Sequence, residues 1–407
     1  MFGLPLAPQH RVYAGFAIYS FSLGNIFPRL PDIKAAMGVD DGTLGMSLIG
    51  TPIGTLLSLT FATRILERIG FSRALPLAIP LVALGYAIAI HAPTPLAFFF
   101  LLIPVGIAIG CVEIMLNVEA DRTEFMIGRR IMNRAHSFWS FGFFAAGIVG
   151  AAIGHLGLAA PLHLAAIVPL SIIGVVLALG GYKAAPRRDS DANVPAPRFA
   201  RPSAAILLLF LVTLSAMLME GASLDWSAIY MRSVFDAGPF LSGFAVAIFA
   251  LSQALTRFYA DHFVDRHSPT GVARALLCLM IVGVLLVAFS PLPAGSLLGF
   301  VLLGIGCGTL FPLAVSAAAQ RGDRPAAINV AAFTQISFLV FLLGPPLLGH
   351  VADAFGIRMA FGIGLPLALL SLLTAGALGG RPTISAEGGT REQSEAVART
   401  SAHQDAF

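Results

Sequence analysis

PLAFFFLLIPVGIAIGCVEIMLNVE, residues 95–119, decides the fold class: twenty-five residues whose only charges are Glu113 and Glu119. As helix, at about 1.5 Å per residue, it crosses a hydrocarbon core of roughly 30 Å. The rest of the chain repeats the pattern. Of 407 residues, 57% are hydrophobic and 11% charged, far from the roughly 25% charged of a soluble domain. Cutting at charged and Gly/Pro-rich breaks predicts helices near 12–31, 43–63, 74–91, 95–119, 135–155 and 160–181, then 204–230, 239–260, 272–290, 295–318, 326–351 and 358–379. The expected fold is an all-α polytopic membrane protein of twelve transmembrane helices in two six-helix bundles. Residues 1–181 form the first bundle, 182–202 a linker, 203–379 the second bundle and 380–407 a polar, disordered tail.

The first apolar stretch runs through Tyr13, Tyr19 and Asn25 with no small-residue cleavage site, so it reads as a retained helix and not as a signal peptide. Basic residues fill every second connection: Arg64, Arg68 and Arg73; Arg122, Arg129, Arg130 and Arg134; Lys183, Arg187, Arg188, Arg198 and Arg201; Arg257, Arg266 and Arg274; Arg321 and Arg324. The opposite connections hold Arg29, Lys34, Arg232 and Arg358. The positive-inside rule then places both termini in the cytoplasm. The same sorting accounts for the net charge of +4 without a nucleic-acid partner. The linker, with Pro186, Pro195, Pro197 and Pro202, reads as a tether between halves. Cys111, Cys278 and Cys307 lie inside apolar spans, where packing is their expected use; no metal or cofactor is expected.

The halves echo one another. Ala62, Ile65, Leu66, Glu67 and Arg68 match Ala260, Phe263, Val264, Asp265 and Arg266 at one constant spacing, which also aligns Gly45 with Gly243, Gly106 with Gly304 and Gly110 with Gly308. That is the signature of a duplicated six-helix unit.

The loop carrying Thr63, Glu67, Arg68, Gly70 and Arg73 resembles the signature loop of the major facilitator superfamily. It departs from that pattern by lacking the opening Gly and by carrying Glu67 where Asp is usual. Glu113, Asn117, Glu124, His136, Ser140 and Gly142, with Glu220, Gly221, Asp225, Trp226 and Ser227, resemble a bacterial branch of uncharacterised inner-membrane permeases distantly related to fucose permease. The resemblance implies an inner-membrane transporter; it also implies gating by Glu67, Arg68, Arg73, Arg257, Asp261, Asp265 and Arg266, where charge contacts clamp the halves. Arg257, one turn before Asp261, is expected to pair with it or with Asp265.

Ionisable groups at membrane depth cost at least about 2.5 kcal/mol each on insertion scales, so each needs a partner, water or a neutral state. Glu113 shares a helical stripe with Gly106, Gly110 and Asn117, expected to face a central cavity; the other reading is a protonated packing contact. Glu220 lies in the seventh span at a different depth. With Asp225 these acids are the proton-coupling candidates, because desolvation favours the protonated form of a carboxyl. Trp226, at the outer end of its span, suits either an interface belt or the site. Asn25 beside Pro28 and Pro31, Asn117, His136, Trp139, Gln253 and Gln335 complete the substrate-binding candidates. Glu119 and Arg122 read as a surface ion pair. No Lys or Arg appears in the middle of a span, which favours neutral or cationic solutes over anions.

The function expected is proton-coupled secondary transport of a small polar, sugar-like solute by a monomer in lipid. Efflux of amphipathic compounds is the alternative, and it requires a cavity of Phe and Met. No nucleotide loop, clustered ligand set or nucleophile elbow points to an enzyme.

Overall fold

The computed structural model describes residues 3–186 and 200–379, and among them every regular element is helical. The expected tail at 380–407 and most of the linker lie outside the described residues. Eleven helices are long and apolar enough to cross a membrane: α2 (Asp41–Phe61), α3 (Phe71–Ala89), α4 (Pro95–Ile127), α5 (Met132–His155), α6 (Ala160–Leu179), α7 (Ala204–Phe235), α8 (Pro239–Arg266), α9 (Pro269–Phe289), α10 (Pro293–Ala319), α11 (Ala326–Phe355) and α12 (Ile357–Gly379). The first crossing, α1, is interrupted. Pro8–Gly24 is followed by a 3-10 turn at Phe27–Arg29 and then by Leu30–Met37. The linking residues keep right-handed helical dihedrals, so α1 crosses as one bent rod, broken where Pro28 and Pro31 remove N–H donors. With α1 counted as a crossing, residues 3 and 379 and the flanks of the linker at 186 and 200 fall on one side, the terminal side; the other is the far side.

Two boundaries differ from the sequence reading. α4 continues to Ile127, beyond the apolar stretch, and stops only where Gly128 adopts φ 65°; hydropathy marks the hydrocarbon, whereas the left-handed cap marks the helix end. Thr63–Ile69, expected as loop, forms a short helix. Starts follow side-chain capping: Thr94 Oγ1 accepts from Ala97 N at 3.2 Å beside Pro95, and Ser268 Oγ from Gly271 N at 3.1 Å beside Pro269. Asp40 caps α2 through Thr43 N at 2.7 Å, and the Thr43 hydroxyl and N–H hold its carboxyl below the ordinary range. The outer surface is apolar, down to Leu373 at 83% exposure, which is tenable only against lipid.

The duplication is physical. A Cβ on Gly106 would meet Thr51 O and Thr55 N of α2; one on Gly304 would meet Phe249 O and Gln253 N of α8, the residues at the same spacing. Gly110 against Ser58 likewise corresponds to Gly308 against Thr256. The glycine stripe of α4 therefore packs on α2 and does not line a cavity as the sequence reading expected, because small residues are what let two helices approach closely in lipid. Thr55 Oγ1 donates to Gly106 O at 3.1 Å across that contact.

Glycines also join the halves. Gly147 of α5 meets Ala247 of α8, Gly243 of α8 meets Ala151 of α5, and Gly45 of α2 meets Pro345 of α11. Most of these contacts sit toward the far side. We expect Gly304→Val to lower stability by about 1–3 kcal/mol through overpacking, read as thermal unfolding in detergent. Gly376→Ala, where an added Cβ meets nothing, should leave the midpoint unchanged.

Candidate functional site

Where α1, α4 and α5 of the first bundle face α7, α8 and α10 of the second, polar groups form one linked chain, in which the His136 carbonyl is one step. Asn117 Nδ2 donates to Glu113 Oε2 at 3.1 Å, and the Tyr19 hydroxyl of α1 stands against the same carboxylate. Asn117 Oδ1 lies 3.2 Å from His136 Nε2 on α5. One turn along α5, Ser140 Oγ is 3.4 Å from Gln253 Oε1 and accepts from Arg257 Nη1 at 3.1 Å. Arg257 Nη2 pairs with Glu220 Oε1 of α7 at 3.1 Å.

The third Arg257 contact follows from a proline. Pro312 has no N–H to close a helical bond onto Gly308, and α10 breaks at Thr309 (φ −127°, ψ 0°). The Gly308 carbonyl left over accepts from Arg257 Nε at 2.9 Å. Arg257 and Glu220 remain 13% and 14% exposed, so water reaches them. Several buried donors nearby have no protein partner among the described residues: Gln253 Nε2, Trp139 Nε1 and the Thr309 hydroxyl. Unspent donors of this kind need a partner from outside the chain.

Toward the far side the halves are latched. Asp32 of α1 accepts from Arg29 at 3.1 Å and from Arg232 of α7 at 2.7 Å. Asp353 of α11 accepts from the backbone N–H groups of Asp41 (3.0 Å) and Gly42 (2.7 Å) at the start of α2, where the helix dipole favours a carboxylate.

A family model described as Major Facilitator Superfamily matches residues 208–403. An uncharacterized MFS-type transporter of Yersinia pestis is 27% identical over 374 residues, covering 91% of this chain and 94% of that protein. An uncharacterized transporter of Sinorhizobium fredii is 28% identical over 379 residues, covering 90% and 97%. The chain is thus similar to the major facilitator superfamily over its second half, and to uncharacterized transporters of that type over nine-tenths of its length. Among solved structures, the nucleoside transporter NupG superposes with a TM-score of 0.65 at 16% identity, covering 91% of this chain and 97% of that one. A D-xylose–proton symporter gives 0.69 at 13%, covering 90% and 96%. These likenesses show the fold of multi-pass transporters, in keeping with the eleven helices long and apolar enough to cross a membrane.

Within that fold, Glu113, Asn117, His136, Gln253, Arg257 and Glu220 come together, with Trp139 one turn from His136. Three sequence expectations change. Arg257 does not sit at the gate: it reaches inward to Glu220 because α8 carries it on the Gln253 face, so the interior does hold a fixed cation. Trp226 is 1% exposed and is no interface anchor; it packs in the second bundle with its N–H unpaired. Glu119 and Arg122 are buried and not at the surface. Glu119 accepts from Ala185 N at 2.9 Å; burial holds the Tyr182 hydroxyl beside it well above its usual range, keeping it a donor.

Other candidates stand apart from the cluster. Asn25 spends both ends inside the first bundle, on Phe21 O (2.7 Å) and His163 Nε2 (3.0 Å). Gln335 accepts from Ala200 N at 3.0 Å, tying down the chain as it enters α7. Asp225 lies half-buried near Tyr86 of α3. Glu67, Arg68, Arg73 and Arg266 are exposed on the terminal side, and the side chains of Asp261 and Asp265 lie outside the described residues. Ser140 enters the sequence reading only through the resemblance and not as a site residue; Tyr19, Thr309 and the Gly308 carbonyl are members that the sequence reading did not assign to the site, and Pro312, four residues after Gly308, was the available signal for the last. Glu124 is structural, accepting from Ile131 N and Met132 N at 2.8 and 3.2 Å at the start of α5.

Glu220→Ala should cost about 3 kcal/mol by leaving the Arg257 charge unpaired, seen as a lower melting temperature. Adding Arg257→Ala to the same chain should recover most of the loss. Pro312→Ala should restore an N–H to Gly308 O and slow amide hydrogen exchange across 308–313.

Proposed function

We propose that this chain is a major facilitator, a proton-coupled secondary transporter that moves a small polar organic solute across the bacterial inner membrane by rocking its two bundles about the polar cluster. One observation carries the reading: an unbroken polar chain links Glu113 in the first half to Glu220 in the second, where insertion costs make every ionisable group expensive. The backbone of α5 supplies one step of that chain, between His136 and Ser140.

Glu113 and Glu220 are the proton carriers in this reading, with Asp225 a third acid on the same path. Asn117, His136, Trp139 and Gln253 contact the solute. The basic connections support a cytoplasmic location for both termini; in this reading the Asp32 and Asp353 latches close the periplasmic side and solute and protons exchange with the cytoplasm in this state. Glu67, Arg68, Arg73, Asp261, Asp265 and Arg266 occupy the opposite, cytoplasmic gate. The named activities of the nucleoside transporter and the xylose–proton symporter are of a kind that such a site serves. Amphipath efflux fits less well, because the cluster is built of Asn, His, Ser, Gln, Glu and Arg in place of Phe and Met.

The test is reconstitution into vesicles with an internal pH dye, challenged with pentoses, hexoses, nucleosides and sugar acids. A solute that drives proton entry is expected. With that solute, Glu113→Gln or Glu220→Gln should abolish accumulation above equilibrium while leaving solute counterflow. Accumulation unchanged in both variants would remove the coupling assignment.

A further inference from the structure

Arg257 is held by three partners of unequal kind. The Ser140 hydroxyl and the Gly308 carbonyl are neutral acceptors, and among the described residues Glu220 supplies the only opposite charge at hydrogen-bond distance. A guanidinium does not lose its proton in a protein, so in the bilayer interior it requires an anion at every stage of a transport cycle. Glu220 is a lightly held anion. Among the described residues it receives one hydrogen bond, from Arg257. The structural acids each receive two: Glu124 from two backbone N–H groups, Asp353 from two, Asp32 from two arginines.

The unspent groups next to the pair are donors. Gln253 precedes Arg257 by one helical turn, and both reach the same Ser140 hydroxyl, at 3.4 and 3.1 Å. Gln253 is fully buried, its oxygen faces Ser140, and its Nε2 hydrogens have no partner. An amide with free donors beside a guanidinium fork is a receptor for a carboxylate.

We propose that Arg257 is an exchangeable anion receptor: the solute is an organic monocarboxylate that replaces Glu220 on Arg257, bridging to Gln253, while Glu220 takes up a proton. The proposal rests on the transport reading above and narrows its solute class. Charge balances at each step. The Arg257–Glu220 pair is neutral; afterwards Arg257 faces the bound carboxylate and Glu220 is an uncharged acid. One proton and one monoanion enter together, so the load is electroneutral, and a neutral sugar in the same place would leave Arg257 unmatched. The groups facing Glu220 are Arg257 from α8 and the Cys307 thiol from α10. Glu113 and His136, from α4 and α5, lie within electrostatic reach of Arg257. Helices α11 and α12 carry their ionisable residues, His350, Asp353 and Arg358, near the far side, and so does the part of α1 that meets α7, with Arg29, Asp32 and Lys34.

The experiment uses the purified full-length protein and matched probes: D-glucuronate against D-glucose, D-gluconate against D-glucitol, lactate against glycerol. Binding is read as ligand-induced thermal stabilisation. At least one carboxylate should bind where its neutral counterpart does not, with affinity rising up to about tenfold per unit fall in pH, since each anion binds with one proton. Glu220→Gln should bind the same acid without pH dependence and regain stability on binding it; Gln253→Ala should weaken binding, and Arg257→Gln should lose it. Equal binding of acid and neutral partner, binding that survives Arg257→Gln, or no carboxylate stabilising a monodisperse Glu220→Gln protein overturns the proposal. Vesicles separate it from the broader reading. Proton entry driven by a neutral sugar keeps coupled transport and removes the anion receptor, whereas uptake of a bound acid without proton movement keeps the receptor and removes the coupling.

Discussion

A guanidinium at mid-depth among apolar helices sets the terms for everything around it. Arg257 must be solvated by the protein, and the chain does this with one acid from α7, one hydroxyl from α5 and one carbonyl that a proline frees in α10. These three come from elements far apart in sequence. Bringing them within 3.1 Å of one side chain requires the close helix crossings that the glycines of α2, α4, α8 and α10 provide, so packing and polarity depend on each other.

The two bundles are alike in scaffold and unlike in chemistry. Gly106 and Gly304 meet equivalent backbone atoms, yet the spacing that aligns them puts Leu59 opposite Arg257 and Ser22 opposite Glu220. Ser22 there bonds Ser171 of α6 at 2.8 Å inside its own bundle. Duplication supplied the frame, and the charge pair belongs to the second half alone, with the first half contributing Glu113, Asn117, His136 and Ser140.

Much of this was legible from residues alone. Apolar stretches of membrane length marked the crossings, and the cost of buried charge singled out Glu113 and Glu220. What stayed hidden was direction. Spacing places Arg257 and Asp261 one turn apart on α8, and an i,i+4 pair is the natural reading; only the tertiary arrangement turns Arg257 toward α7. Trp226 was misread for a similar reason, since its distance along α7 suits an interface but its azimuth faces the bundle. Asn25 was legible as a kink partner beside Pro28, whereas its companion His163 lies 138 residues further along the chain, where no local pattern links the two.

The Asp353 latch on α2 is lopsided. Its acceptor is a side chain, but its donors are the main-chain amides of Asp41 and Gly42, which every non-proline residue possesses. Drift at Asp41 therefore leaves its donor in place, whereas a Cβ at Gly42 would run into the Asp353 carboxylate, so the hold depends on the missing side chain of Gly42 as well as on the acid of α11.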